Sequence, residues 1–459
     1  MTRRLRRDAL VVAAVGLAVR LGVVLWAAGT IPPAADGAYY DKLAVRLAEG
    51  HGYTWLWPDG AVTYAAHYPV GYPAIVALGY AIVGAKPVVA MLLNAALGAL
   101  AGVAAWSLVR RGAPERLALA GGLAVALHPA LVPYTAAIMT EGVTTALVVA
   151  AAALAARARE AERPRRMLAL TGLVMGVATL VRPQSLALAP VLGGLAVLGR
   201  PAVASGAERP WRRAALAAAF VSAAALAVCA PWTVRNCARM ERCALVSVNG
   251  GWNLAIGTQT EDGGWHEIAV PDACKEVFQE AAKDTCFGRE AMREIARHPV
   301  AWLARAPAKL RATFDYFGAA PWYLHTANPA RFPHGAKVAL GIVETLVSRL
   351  LLAGALVTLL RMPTREGAAA RIRKGLAAVG LVACVLVPGT IGYLALAGAI
   401  LALGRPLARA PLIVPFTAAV ILATAAIHAT FFGAGRYGMI VTPFVAALAF
   451  VRPRPDELA

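Results

Sequence analysis

The sequence predicts an all-α polytopic membrane protein, a bundle of about twelve transmembrane helices with a small extracytoplasmic α/β subdomain. Two observations lead to this prediction. The chain has 459 residues, of which 59% are hydrophobic and only 15% charged, whereas soluble domains average roughly 25% charged residues. Apolar runs of about 18 residues or more, long enough to cross a bilayer, recur along nearly the whole chain. Its mean hydropathy of +0.62 agrees with this class.

The net charge of +20 is consistent with a membrane protein and argues against a nucleic-acid-binding protein. The arginines lie in short clusters between apolar runs, as the positive-inside rule predicts for cytoplasmic loops. Nucleic-acid-binding proteins concentrate such charge on a single face or tail. The clusters occupy residues 3–7, 110–111, 163–166, 209–213, 371–374, 405–409 and 452–455.

Placing these clusters inside gives an alternating topology with both chain ends inside. The first apolar stretch is too long for a signal peptide and is expected to be an uncleaved span. The expected spans are 9–29, 87–109, 117–134, 138–156, 167–181, 185–199, 214–230, 336–360, two within 375–404, 410–430 and 438–451. No internal repeat is evident, which counts against an inverted-repeat transporter.

Three regions follow from this topology. Residues 1–230 form an N-terminal transmembrane module with a first external loop, 31–84, of which 69–84 is expected to lie at the membrane interface. Residues 231–335 form an extracytoplasmic subdomain, and residues 336–459 form the C-terminal transmembrane helices. In the subdomain, 250–265 is predicted as strand and turn, and 274–317 as helical.

The subdomain holds four of the six cysteines, where an oxidising compartment favours disulfides. Four cysteines allow three pairings, and local pairing of Cys237 with Cys243 and of Cys274 with Cys286 is preferred. Cys229 and Cys384 lie in spans and are expected to pack. No cysteine or histidine spacing typical of a metal site occurs, so neither a metal nor a cofactor is expected.

Polar residues at membrane depth are costly and are therefore candidates for function. The predicted topology gathers ten of them at the outer ends of spans, and carboxylates facing arginines suit an anionic substrate and a base. Simpler explanations remain for some, since Asp41 can pair with Lys42 or Arg46 and Glu141 can favour a helix N-terminus. The ten are Asp36, Asp41, His51, His67, Glu141, Arg182, Arg235, Asn236, Arg436 and Tyr437.

Several stretches, in chain order, resemble bacterial GT-C glycosyltransferases, the superfamily of protein O-mannosyltransferases and of the lipid A aminoarabinose transferase. DGAYYDKLAVRLAEGHGYTW and HYPVGYPAIVALGYAIVG resemble the first external loop of this group. PWTVRNC with VSVNGGWNLAIGT resembles the segment after the seventh span. GRYGMIVTPFVAALA resembles the C-terminal span, and HPALVPYTAAIMTEG and TLVRPQSLALAP match weaker patterns.

The resemblance implies a GT-C-type bundle that moves a sugar from a polyprenyl-phosphate donor to an acceptor on the extracytoplasmic face. An aspartate of the first loop is the base in this group, and its spacing to Tyr40 maps it onto Asp36. Many relatives have Glu after this aspartate, where this chain has Gly37. Some relatives carry a basic residue before paired prolines, where this chain has His67 and Tyr68.

The expected enzyme is therefore an inverting glycosyltransferase of the bacterial inner membrane, with its active site on the periplasmic side. Its expected partners are the lipid-linked donor, membrane lipids and a glycan, lipid or protein acceptor, without nucleic acid. Two alternatives stay open, a non-catalytic flippase of lipid-linked sugars and an enzyme like an O-antigen ligase or polymerase. Two groups of residues are expected at the site: catalytic, Asp36, Asp41 and Glu141; substrate- and phosphate-binding, Tyr40, His67, Tyr68, Arg182, Arg235, Asn236, Arg436 and Tyr437.

Overall fold

The computed structural model describes residues 3–198, 210–362, 367–386 and 389–452, and these are largely helical. The N-terminal helices are α1 Arg3–Ala27, α2 Asp36–Ala48, α3 Gly71–Val83, α4 Pro87–Val109, α5 Glu115–Ala126, α6 Thr140–Glu160, α7 Arg165–Val181, α8 Leu188–Leu198 and α9 Pro210–Arg239. The later helices are α10 Gly250–Gln259, α11 Glu280–Arg297, α12 Pro299–Ala304, α13 Ala306–Phe314, α14 Ala319–Ala327, α15 His334–Arg361, α16 Ala368–Leu386, α17 Gly389–Leu401, α18 Ile413–Thr430, α19 Gly435–Gly438 and α20 Thr442–Leu448.

The apolar helices make this a multi-pass membrane protein. Within the described ranges, six helices are long and apolar enough to cross a bilayer alone, namely α1, α4, α6, α9, α15 and α18. Shorter apolar helices cover Gly71–Val83, Pro183–Leu198 and Gly389–Leu401. Helices thus occupy every expected span, and the number of crossings stays a prediction.

Two expected spans are interrupted. The expected span 117–134 is helical only over α5, after which the chain runs through a short 3-10 helix, Pro133–Ala136. The expected span 438–451 begins as α19 and continues as the seven-residue α20. Both later segments have a proline in their first turn, Pro133 and Pro443, because the fixed φ of proline suits a first turn and its missing N–H cannot extend a preceding helix. Glu141 and Arg436 lie close to these two breaks.

Small residues let the transmembrane helices pack closely. Added Cβ atoms at Gly172 and Gly176 would meet the backbone oxygens of Val221 and Ala225 on α9, at 2.7 and 2.8 Å. Gly193 on α8 approaches the backbone of the same helix at Ala217. Close backbone approach at small residues is the usual packing mode of helices in lipid, and it fixes α7, α8 and α9 as one unit.

The first external loop contains the only two strands among the described residues. After α2, a short antiparallel hairpin pairs β1, Thr54–Leu56, with β2, Val62–Tyr64, in the register Trp55 opposite Thr63. The thirteen-residue α3 follows. It rises about 20 Å at 1.5 Å per residue, less than the ~30 Å hydrocarbon core. This length agrees with the interfacial position expected for 69–84.

The segment 231–335 is helical, so the strand predicted at 250–265 is wrong, and with it the α/β character of the subdomain. The Gly250–Gly251 pair begins α10 and does not form a turn between strands. Gly251 has no room for a side chain, because the backbone of α11 lies against it at Asp284 and Gly288. The helices predicted within 274–317 are present as α11, α12 and α13.

Both preferred disulfides are present. Cys237 bonds to Cys243 at the end of α9, and Cys274 bonds to Cys286 on α11. Cys229 and Cys384 are free and buried, as expected for packing residues. The bonded cysteines are 6 and 12 residues apart in sequence. The two bridges stabilise the segment 231–335 by restricting its unfolded chain.

Candidate active site

Two carboxylates and two arginines from four distant segments form one row of alternating charge. Arg436 Nη1 lies 2.8 Å from Asp36 Oδ2, and Arg436 Nε lies 3.5 Å from Glu141 Oε1. The same Glu141 oxygen lies 2.6 Å from Arg182 Nη1. The formal charges cancel. Ion pairs this far from water need such balance, because an uncompensated buried charge is strongly destabilising.

Asp36 is held at the first turn of α2 by a strained entry into the helix. Ala35, the residue before it, has φ 50°, a conformation that costs an L-residue roughly 1–3 kcal/mol and persists only where the surroundings enforce it. The surroundings include Tyr323 on α14, whose hydroxyl accepts hydrogen bonds from the N–H groups of Ala34 and Ile138. Tyr323 thereby connects the segment that precedes Asp36 to the segment that precedes Glu141.

Gly37 explains the departure from the Asp-Glu pair of the similar enzymes. A Cβ at this position would lie 2.8 Å from Ile138 O and 2.9 Å from the Tyr323 hydroxyl. Both distances are too short for a side chain, and Gly37 is buried. The chain therefore cannot carry a second carboxylate directly after Asp36 without moving Tyr323 or the 138 backbone.

Glu141 begins the first turn of the long α6 and is 5% exposed. Its second oxygen accepts a 2.8 Å hydrogen bond from the Tyr134 hydroxyl, which the short 3-10 helix positions. A carboxylate is favoured at a helix N-terminus by the helix dipole. Glu141 therefore has three partners besides the dipole: Tyr134, Arg182 and Arg436.

Arg436 and Tyr437 lie on α19, the short turn between α18 and α20. Gly435 lies against the backbone oxygens of Tyr316 and Phe317, so a side chain has no room there and the turn is fixed next to Arg436. The Tyr437 ring stacks on His428 with centroids 4.4 Å apart, and the Arg182 guanidinium lies 4.7 Å from its centroid. Tyr437 thus supports Arg182 through a cation–π contact.

A small cavity of about 40 Å³ opens beside this row. Glu141, Arg182 and Arg436 line it, whereas Asp36 is not among its lining residues. Its remaining wall is partly polar and partly aliphatic: Thr144, Gln184, Ser185, Leu188, Ala423, Thr424, Ile427, His428, Tyr437 and Ile440. Two guanidinium groups next to aliphatic side chains suit the junction of a phosphate and a lipid chain, since arginine binds phosphate oxygens in pairs.

Tyr68 joins Asp36 to the aromatic part of the first loop. Its hydroxyl donates to Asp36 Oδ1 at 3.4 Å, and its ring stacks on Tyr39 with centroids 5.3 Å apart. Burial and the neighbouring Asp36 carboxylate raise the pKa of Tyr68, so the phenol keeps its proton and stays a donor. Tyr40, by contrast, is buried edge-on between Tyr68 and Tyr72 and supports the site by packing.

Asp41 does not join the row. It accepts a 2.5 Å hydrogen bond from the Tyr80 hydroxyl on α3. Burial raises the pKa of Asp41, and the hydrogen bond from Tyr80 offsets this only in part. The structure therefore gives Asp41 a role in docking α2 on α3, and the pairing with Lys42 or Arg46 considered above is not observed among its described contacts.

Arg235 and Asn236 lie apart from the row, and both hold backbone. Arg235 donates to the carbonyl oxygens of Tyr53 and Ala65, each at 2.8 Å, and its guanidinium lies 4.7 Å from the Trp232 ring. Asn236 donates to Ala244 O and Val246 O. The described contacts place Arg235 under the hairpin of the first loop, and Arg235 is not among the residues that line the cavity beside Arg182 and Arg436.

His67 also acts through its backbone. Its N–H and that of Ala66 both donate to Glu280 Oε2 on α11, while Trp55 Nε1 donates to Glu280 Oε1 at 2.6 Å. Glu280 therefore clamps the first loop to the external subdomain. Glu280, Tyr134, Tyr323 and His428 are not predicted as site residues from the sequence. Of these four, Tyr134 alone lies in a stretch that resembles the family, HPALVPYTAAIMTEG.

The arrangement supplies a partly exposed carboxylate next to a cationic cavity. The side chain of Asp36 is 34% exposed and that of Arg436 is 20% exposed, so a substrate can reach both. Among the described residues there is no group of three or more metal-ligating side chains. The site therefore offers a carboxylate that can accept a proton and two guanidinium groups close to it.

Comparison with known proteins supports the resemblance to glycosyltransferases that the sequence suggests. Residues 67–234, a little over a third of the chain, match the family described as dolichyl-phosphate-mannose-protein mannosyltransferase. No curated protein sequence matches the chain.

Solved structures from Archaeoglobus fulgidus and from Cupriavidus metallidurans are similar to this chain. The apo oligosaccharyltransferase of Archaeoglobus fulgidus is 13% identical with a TM-score of 0.50, over 97% of this chain and 50% of that one. The same organism's enzyme AglB with an inhibitory peptide and a dolichol-phosphate has a TM-score of 0.48 at 12% identity, over 98% and 50% of the two chains.

ArnT from Cupriavidus metallidurans bound to undecaprenyl phosphate is 14% identical with a TM-score of 0.39, over 96% of this chain and 76% of that one. This chain spans about half the length of the archaeal structures. The family match over residues 67–234 and the fold shared with the archaeal apo structure confirm the resemblance to GT-C glycosyltransferases.

Proposed function

We propose that this protein transfers a sugar from a polyprenyl-phosphate donor to an acceptor hydroxyl or amine on the extracytoplasmic face of a bacterial inner membrane. The observation that carries the proposal is the contact between Asp36 and Arg436, 400 residues apart in sequence and 2.8 Å apart in space. It sets a proton acceptor beside a phosphate-binding guanidinium, the two groups that this reaction needs.

Asp36 is the general base. It removes the proton of the acceptor nucleophile as that atom attacks the anomeric carbon, a contribution worth roughly 10²–10⁴-fold in rate. Tyr68 holds the second carboxylate oxygen, so Oδ2 is the oxygen that takes the proton once Arg436 is engaged by substrate. Direct attack from the face opposite the leaving group inverts the anomeric centre, as in hydrolases where water takes the acceptor's place.

Arg182 and Arg436 receive the leaving polyprenyl phosphate. Cleavage of the bond between the sugar and the phosphate oxygen develops negative charge on the phosphate, and prearranged guanidinium groups stabilise it in a site that excludes water. The aliphatic lining from Leu188, Ile427 and Ile440 faces the same cavity. It suits the first isoprene units of the lipid.

The first experiment offers the purified, reconstituted protein a panel of polyprenyl-phosphate sugars and the matching nucleotide sugars. We expect turnover only with a lipid-linked donor, with release of polyprenyl phosphate and formation of a product of inverted configuration. Turnover of a nucleotide sugar, or a product that retains the configuration, contradicts the proposal. Arg436→Lys tests recognition of the donor phosphate, because it keeps the positive charge but loses the guanidinium fork that binds two phosphate oxygens.

A further inference from the structure

An anionic phosphate that enters this site disturbs its charge balance, because the formal charges of the row already cancel. Each arginine of the cavity has a carboxylate partner, at 2.6 Å for Arg182 and 2.8 Å for Arg436. A phosphodiester adds one negative charge to this buried group. Since Glu141 lines the same cavity, the incoming phosphate meets a like charge in the position where it needs the guanidinium groups.

The position of Glu141 leads to the same point. Its Oε1 lies 2.6 Å from Arg182 Nη1 and 3.5 Å from Arg436 Nε. The carboxylate therefore occupies the place between the two guanidinium groups that a phosphate oxygen needs. Among the residues that line the cavity, Glu141 is the one whose movement both makes space and removes the opposing charge.

Building on the proposed function, we infer that Glu141 is a placeholder for the donor phosphate. In the empty protein it neutralises Arg182 and Arg436, and the phosphate replaces it on Arg436 when the donor binds. The contact of Glu141 with Arg436 is the longest of the row at 3.5 Å, and is therefore the first to give way. Tyr134 stays bonded to the other carboxylate oxygen and retains Glu141 after the exchange.

The exchange also couples donor binding to the base. Arg436 is the residue that contacts both carboxylates, so the phosphate that takes Arg436 draws it from Asp36 as well. Asp36 loses its contact with Arg436 in the donor complex, and Oδ2 becomes free to accept a proton from the acceptor. Glu141 is thus a positioning residue, and an acceptor meets a free carboxylate oxygen only when donor is present.

The test measures binding of a polyprenyl phosphate to the full-length protein in nanodiscs, and then the donor KM and kcat. Glu141→Gln removes the competing charge, so we expect affinity for polyprenyl phosphate to rise roughly tenfold or more. The donor KM falls, and kcat falls as well because Arg182 loses its partner. Glu141→Asp keeps the charge and is expected to bind as the parent does. Glu160→Gln is the control, since Glu160 pairs with Arg111 at the other end of α6.

Glu141→Gln binding equal to or weaker than the parent overturns the inference while leaving the proposed function in place. Failure of the parent and of every variant to bind polyprenyl phosphate contradicts the proposed function itself. If Glu141→Gln does not fold, Glu141→Ala tests the same step. It removes the same negative charge and is expected to raise polyprenyl-phosphate affinity, so an affinity equal to or below that of the parent there also overturns the inference.

Discussion

Asp36 owes its position to its immediate neighbours in sequence and to one tyrosine far along the chain. Ala35 supplies a strained backbone turn, Gly37 supplies room, and Tyr323 supplies the acceptor for the Ala34 N–H from 289 residues away. Strain of this kind is found where the surrounding structure enforces a functional geometry. Asp36 is therefore held by backbone and not by its side-chain partners alone.

Substitutions of Ala35 test that strain. Glycine tolerates a positive φ without a Cβ clash, and a β-branched residue tolerates it least. We expect the midpoint temperature of unfolding in detergent to be at or above that of the parent for Ala35→Gly and clearly below it for Ala35→Val. The valine is expected to lower the free energy of unfolding by roughly 1–3 kcal/mol. Thermal unfolding followed by circular dichroism measures this order. A valine variant as stable as the glycine variant would show that residue 35 is not strained.

Tyr323→Phe tests the hydrogen bonds that the Tyr323 hydroxyl accepts beside Asp36. The change leaves two N–H groups, of Ala34 and Ile138, without their acceptor, at a cost of roughly 1–3 kcal/mol for each group that stays buried. We expect kcat to fall while the donor KM changes little, because the phenol touches neither arginine. Steady-state kinetics on reconstituted protein separate the two constants. A change confined to KM contradicts a positioning role.

At the scale of the elements, the external subdomain acts as a clamp on the first loop. Glu280 on α11 receives hydrogen bonds from Trp55, Ala66 and His67, and the two disulfides hold the segments around it. Together with Arg235, which donates to Tyr53 O and Ala65 O, Glu280 reinforces a hairpin ladder of three residues, and an isolated hairpin is marginally stable at best. The clamp therefore keeps Tyr68 and its bond to Asp36 in place.

Glu280→Gln tests the clamp, since the amide cannot serve all three donors as a carboxylate does. We expect faster amide hydrogen exchange over residues 53–68 and a lower transfer rate, with donor binding preserved. Glu290→Gln on the same helix is the matched control, because Glu290 forms an exposed pair with Arg293, worth little to stability. Equal exchange in both variants would show that Glu280 does not order the loop.

At the scale of the whole molecule, basic residues are distributed unevenly between segments of the chain. The segments 31–84 and 231–335 together hold 15 of the 25 acidic residues but only 14 of the 45 basic ones. The remaining 31 basic residues accompany 10 acidic ones elsewhere in the chain. The positive-inside rule assigns the neutral segments to the extracytoplasmic side, where disulfides persist.

Single cysteines test this orientation. Asp59 lies in the exposed turn of the hairpin, and Arg116 lies exposed near the start of α5. In intact cells we expect a membrane-impermeant maleimide to label Asp59→Cys, and to label Arg116→Cys only after permeabilisation. The buried Cys229 and Cys384 should stay unlabelled in both. The reverse pattern of labelling contradicts the proposed topology.

The sequence predicts those parts of the site that depend on position along the chain. Asp36, Glu141, Arg182 and Arg436 lie directly at the outer ends of apolar runs, so hydropathy and charge bias bring them together. Arg235 has the same position along the chain, yet its side chain turns to the backbone of the first loop. Side-chain direction at the end of a helix that contains Pro231 is set by tertiary packing, which hydropathy does not encode.

The transfer rate of Asp36→Asn, measured with the lipid-linked donor at saturating concentration, tests the central claim most directly. The amide keeps the shape of the side chain but cannot accept the nucleophile's proton. The rate is expected to fall by roughly 10²–10⁴-fold while polyprenyl-phosphate binding persists, and Asp59→Asn should match the parent. A rate for Asp36→Asn within a few-fold of the parent would contradict the assignment of Asp36 as the base.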